Sequence, residues 1–147
     1  GISALPTITE EIESSENSGL REYMLAIAAE EITNTHLNKE NVYNWSNGKE
    51  WLDKWNIYLR NIPTKVDYIV NDTENTIEEK KSALNDLGIM SLPYIKDSID
   101  AGHTEFQDTY NSILEGTAVS SRTNDNEKID ESDLQIIRSM VEEVRVD

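Results

Sequence analysis

Few residues in this chain could carry chemistry, and their spacing limits what they can do. His36 and His103 are the only histidines. A zinc site draws on several His, Cys or carboxylate ligands at recognisable spacing, yet neither histidine has a second one three to five residues away, and no HExxH segment occurs. His36 reads as a polar loop residue, and His103, between Gly102 and Thr104, as a polar residue at a helix boundary. Carboxylates are plentiful, but Glu30-Glu31, Glu78-Glu79 and Glu142-Glu143 are adjacent pairs whose members diverge by about 100° on a helix. That geometry is poor for shared acid-base work, so they read as solvated faces. The densest oxygen cluster, Asn124-Asp125-Asn126-Glu127 with Asp130, Glu131 and Asp133, lacks the glycine and the closing glutamate of a calcium loop. The serines have no GxSxG or SxxK setting, and no Gly-rich phosphate loop is present. With no cysteine at all, thiol catalysis, thiolate metal sites and disulfides are excluded. The expectation is a protein that is not an enzyme and takes no metal or cofactor.

The aromatic residues offer a different chemistry. Trp51 and Trp55 are four apart and share a helix face, with Tyr43 and Trp45 just upstream and Tyr58 one turn on. Such faces can stack a sugar or clamp a peptide, and they can equally fill a core. Tyr43, Trp45, Trp51 and Trp55 are therefore the candidate ligand-binding residues.

Helices must position these groups. Trp51, Leu52, Trp55, Ile57 and Leu59 lead into Asn61-Ile62-Pro63, after which Val66, Ile69 and Val70 follow. Leu84, Leu87 and Ile89 likewise lead into Ser91-Leu92-Pro93, with Ile95 and Ile99 beyond. Proline lacks an amide hydrogen and clashes one turn back, but it costs little in a first turn. Each proline is thus expected to start a new helix, with Asn61 and Ser91 as caps. Asn47 with Glu50, and Thr76 with Glu79, have the spacing of capping boxes. Upstream, Leu20, Tyr23, Met24, Ile27, Ala28 and Ile32 recur at helical spacing and define one face of another helix, whose other face is charged. Phe106, Tyr110, Ile113 and Leu114 mark a helix that should stop at Gly116, and residues 117–130 read as a mobile loop. A last helix begins near Ser132 and carries Leu134, Ile137, Met140, Val141 and Val144 on one stripe. Nothing alternates with period two for long enough to build a sheet.

The reading is all-α, with about seven helices. Residues 1–19 form an extended acidic arm or one short helix with a linker, and residues 20–147 a single all-α domain. Pro63 and Pro93 stand about 30 residues apart, and the same offset pairs Ile57 with Leu87, Leu59 with Ile89, and Ile62 with Leu92. The segment from Asp86 through Gly88, Ser91 and Pro93 to Ile95, with Ile99 and Gly102, resembles a HEAT-type helical repeat. It is similar to the repeat-like helical domains of secreted proteins and lipoproteins of Gram-positive bacteria. The resemblance implies a short right-handed stack of antiparallel helix pairs; a globular helical bundle is the alternative.

Charge narrows the partners. The 147 residues hold 29 Asp and Glu against 13 Lys and Arg, a formal net charge of -16, and such a surface repels phosphate backbones. Nucleic acid is excluded as a partner, and no apolar run approaches the ~20 residues that cross a bilayer. The start Gly1-Ile2-Ser3, without methionine, suggests that any leader has been removed. The functional expectation is a non-catalytic protein-interaction or scaffold module of an extracellular or cell-envelope protein, presenting an acidic helical surface to a protein or cell-wall partner. The alternative is a helical bundle that binds a sugar or peptide through its aromatic cluster.

Overall fold

The structure, a computed structural model, describes residues 1–39, 44–120 and 129–145, without the side chains at 39 and 117–120. Among the described residues there are seven α-helices and no strand. They are α1 (Leu5–Ser14), α2 (Leu20–Thr33), α3 (Gly48–Asn71), α4 (Ile77–Leu87), α5 (Leu92–Asp100), α6 (Gln107–Ser120) and α7 (Glu131–Arg145). The long α3 is the hub, touching α1, α2, α4, α5 and α7. Its stripe of Trp51, Trp55, Tyr58, Leu59, Ile62, Val66 and Val70 is buried along its length. On one side α1 and α2 pack together against it; on the other, α4 and α5 pack on α6. The apolar stripe of α7 finds its partners in α3, α5 and the N-terminal turn Ile2–Ala4. Residues 1–19 are tied into this core, since Ile2, Leu5 and Ile12 are all buried. Of the two readings of this segment, the short helix with a linker is the one present: α1 packs into the core and residues 15–19 connect it to α2.

The first of the two expected breaks does not occur. Pro63 lies inside α3, which runs unbroken for 24 residues, so Asn61 caps nothing. A mid-helix proline costs roughly 3 kcal/mol. Ile62, Val66 and Val70, on and beyond the break, are each worth roughly 1.5–3 kcal/mol when buried, and only a continuous helix keeps them in line with Leu59. Burial wins. The second break does occur, and its cause lies at the position offset from Tyr58. Gly88, with φ 79° and ψ -164°, leaves the helical region in a way that a side chain resists, and α5 begins at Leu92 with Pro93 in its first turn. Ser91 occupies the cap position, but its hydroxyl donates back to the Gly88 carbonyl instead of accepting from α5. The two positions meet in space, for the Tyr58 hydroxyl donates to the carbonyl of Leu87. With one helix pair where two were expected, the packing is compatible with a globular bundle around α3.

Of the two expected capping boxes, Thr76 with Glu79 forms in full, whereas Asn47 with Glu50 forms only its first half, because the Glu50 carboxylate accepts from the Ser46 hydroxyl instead of the Asn47 amide. Asn47 accepts from the Glu50 amide at 2.9 Å, and Thr76 and Glu79 exchange bonds with one another's amides at 3.1 Å. The C-termini are held differently. Among α1 to α6 none has a basic residue in its last turn. At α1 and α3 cations from other helices serve instead, and one also reaches α7, whose own last turn carries Arg145. Lys49 of α3 donates to the carbonyls of Ile12, Glu13 and Ser15 at the end of α1 (2.7, 3.0 and 2.5 Å). Lys80 of α4 donates to Val70 near the end of α3, and Arg60 of α3 to Val144 near the end of α7. Positive charge there opposes the negative end of the helix dipole.

The face of α2 is turned partly away from expectation: Ile27 and Ile32 are half-buried against the core, but the N-terminal half of the stripe points outward. Leu20 is 76% exposed, Met24 55% and Tyr23 39%, while Glu22, Ala26, Ala29, Glu30 and Thr33 are buried. The reason is close approach. Gly48, the first residue of α3, lies so near α2 that an added Cβ would sit 2.7 Å from the Glu22 carbonyl oxygen. Alanine permits such contact; leucine and tyrosine do not. The α6 helix also departs from expectation, continuing through Gly116, whose φ is not positive, to Ser120. Of the expected loop, residues 121–128 lie outside the described residues.

Candidate interaction surface

The expected aromatic site is interior. Trp51 and Trp55 have no exposed surface, because positions 51, 55 and 58 lie on the face of α3 that meets the other helices. Their rings stack at 5.0 Å with 20° between planes, and Tyr58 follows at 5.4 Å. Trp45 is buried beneath Tyr23, with ring centroids 5.2 Å apart. Tyr43 lies outside the described residues. The structure therefore brings Trp51 and Trp55 together as core, sets Trp45 under a different ring, and presents none of these three indoles to solvent.

Two buried glutamates hold this region together, Glu22 and Glu30, the latter expected on a solvated face. A single oxygen of Glu30, Oε2, accepts from the Leu37 amide at 3.0 Å and from the Trp51 indole at 3.2 Å. Glu22 accepts from the Gly19 amide at 2.9 Å, the Ser15 hydroxyl at 3.2 Å and Arg21 at 3.3 Å. The Gly19 amide holds the Glu22 carboxyl below its usual range; burial pushes the other way, and Ser15 and Arg21 add to the lowering. A carboxyl held down in this way contributes stability that is complete above the unfolded-state pKa, and that stability is lost as pH falls through the folded value. Glu22→Gln should therefore weaken the protein by a constant amount at pH 6–8, and the gap to wild type should shrink as pH drops below about 4.5. Urea midpoints of both proteins at pH 7 and pH 3 test this; an equal gap at both values would contradict it.

The histidines stay apart. His36 is exposed after α2, and His103 precedes the short turn Thr104–Phe106 with its Nδ1 3.8 Å from Glu105. Among the described residues no group of three or more His, Asp or Glu could hold a metal ion. The 124–127 part of the oxygen cluster is outside the described residues, whereas Asp130 and Asp133 bond each other's amides at the start of α7.

A cleft of about 810 Å³ opens between the α2–α3 connection, the α4–α5 turn and α6. Asn34, His36, Lys65, Asn85, Asp86 and Ser112 give it a polar lining, with Tyr58 and Ile89 among the less polar residues. The C-terminal ends of α2 and α4 both face it, so backbone carbonyls add negative character. No tryptophan lines it.

Cations on the described surface are largely bound within the chain. Arg21 pairs with Glu11 and Glu22, Lys96 with Glu131, and Arg145 with Glu142. Arg138 forms a two-pronged pair with Asp97 at 2.9 and 3.0 Å and lies 5.3 Å over the Tyr94 ring. Tyr94 in turn donates to Glu142, and burial, with that carboxylate, pushes its hydroxyl pKa far up. What remains outward is acidic, with an apolar stripe on α2. The fold defines an all-α protein. No protein-family model matches the chain, and neither a curated protein nor a solved structure matches it.

Proposed function

We propose that this chain is a non-catalytic interaction module of an extracellular or cell-envelope protein, presenting an acidic helical surface to a basic protein or cell-wall partner. The observation that carries the reading is the use of cations. With a net charge of -16, the chain commits Lys49, Arg60 and Lys80 to helix ends and Arg21, Lys96, Arg138 and Arg145 to its own carboxylates. These seven of the 13 cations are engaged within the chain, and with all 13 counted the carboxylates still exceed them by 16; a field of one sign speeds encounter with a partner of the other. The α4–α5 pair supports the HEAT-like reading of that part of the surface, while the unbroken α3 confines it to one unit. The aromatic-cluster alternative has no such support, since Trp51 and Trp55 are enclosed.

The test is retention of envelope and secreted proteins on the immobilised chain at low salt and at about 1 M salt, where the screening length is ~3 Å. The expected result is a basic protein retained at low salt and released at high salt. Retention indifferent to salt, or no macromolecule retained, would overturn the reading.

A further inference from the structure

Among the described residues, the α2 stripe is the one place where large apolar side chains stand exposed on successive turns. Leu20, Tyr23 and Met24 lie within two turns, and half-buried Ile27 continues the line. Single exposed apolar residues need no explanation, but a contiguous row on an otherwise polar surface marks an interaction site. We propose that this face of α2 docks an amphipathic helix of another protein, one whose apolar stripe is flanked by lysine or arginine. The proposal rests on the acidic-surface reading above and adds its location and the form of the partner.

Three observations select that occupant. First, the shape is right: from Leu20 to Ile27 the stripe spans about 10 Å at 1.5 Å per residue, roughly two helical turns, and an apolar row at this spacing is what a facing helix reads. Second, the charges at its ends are negative. Glu16 before the stripe and Glu31 beyond it are exposed, and Arg21, the one cation of α2, is already held by Glu11 and Glu22. Third, the net charge of -16 argues against a second copy of the chain, which would bring two acidic bodies together. The area is small, so the contact belongs to the weak, transient class.

The experiment uses the whole chain and a synthetic Leu/Lys amphipathic peptide of about 14 residues, with a scrambled peptide of the same composition as the charge-matched control. Binding is followed by fluorescence anisotropy of the labelled peptide. The ordered peptide should bind about tenfold tighter than the scrambled one, and Leu20→Ser/Met24→Ser, which leaves the charge unchanged, should remove that advantage. The urea midpoint of the double variant should equal that of wild type. Equal binding of the two peptides overturns the docking site and leaves the acidic-surface reading standing; no binding of either at low salt overturns both. A fall in the urea midpoint shows that the chain itself already fills this face. A dimer in sedimentation that the double variant disperses shows that a second copy does. Either result overturns the proposal.

Discussion

Gly48→Ala is expected to lower stability by about 2–3 kcal/mol, the cost of overpacking a close contact. At an ordinary helical glycine the same change gains up to ~1 kcal/mol from propensity. Here the sign reverses because the new Cβ would lie 2.7 Å from both the Cβ and the carbonyl oxygen of Glu22, and 2.8 Å from its carbonyl carbon. Backbone atoms cannot swing aside as a side-chain tip can, so α2 and α3 must part. The urea midpoint should fall by on the order of 1 M. Gly116→Ala is the matched control, since a Cβ there meets nothing within 4 Å and φ is not positive. Its midpoint should hold or rise. A Gly48→Ala midpoint equal to wild type would show that the helices separate at no cost.

Glu30 gives the second large effect. Glu30→Leu is close in size but strands two buried donors, the Leu37 amide and the Trp51 indole, at ~1–3 kcal/mol each. The expected loss is about 2–5 kcal/mol. Glu30→Gln should cost less than ~1 kcal/mol. Both bonds end on the same oxygen, and a glutamine amide keeps one carbonyl oxygen to place there. Denaturation of the three proteins at neutral pH decides the matter. Equal losses for leucine and glutamine would mean that the negative charge, and not the acceptor, holds the indole.

The fold class was open to sequence reasoning because helix starts and apolar spacing are local signals. Thr76 with Glu79, Asn47 with Glu50, and the Leu134–Ile137–Val141 stripe all lie within one or two turns of their partners in the chain. Pro63 was misread because the force that keeps α3 straight is the burial of Ile62, Val66 and Val70 by helices distant in sequence. The difference between Tyr58 and Gly88 was the local clue, since only the glycine relaxes into a positive φ. The α2 face was partly misplaced for a related reason. Side-chain size suggested that leucine, tyrosine and methionine point inward, whereas the close approach of α3 at Glu22 favours small neighbours; Ala26 and Ala29, buried on the same face of α2 as Glu22, were the legible sign. The candidate aromatic site was legible as a cluster and not as a surface. Spacing places Trp51 and Trp55 on one face of a helix without saying whether that face meets water.

The lysines and arginine that cross between helices have a consequence for how the protein opens. The last carbonyls of α1 are held by the first turn of α3, those near the end of α3 by α4, and those near the end of α7 by the middle of α3. A helix end held by its own residues can fray alone, but here each end is released only when a neighbour's side chain lets go. Amide exchange with deuterium near these three ends should then follow common opening events instead of independent ones, making α1, α3, α4 and α7 one cooperative unit. Neutralising Lys49 should loosen amides on two helices at once.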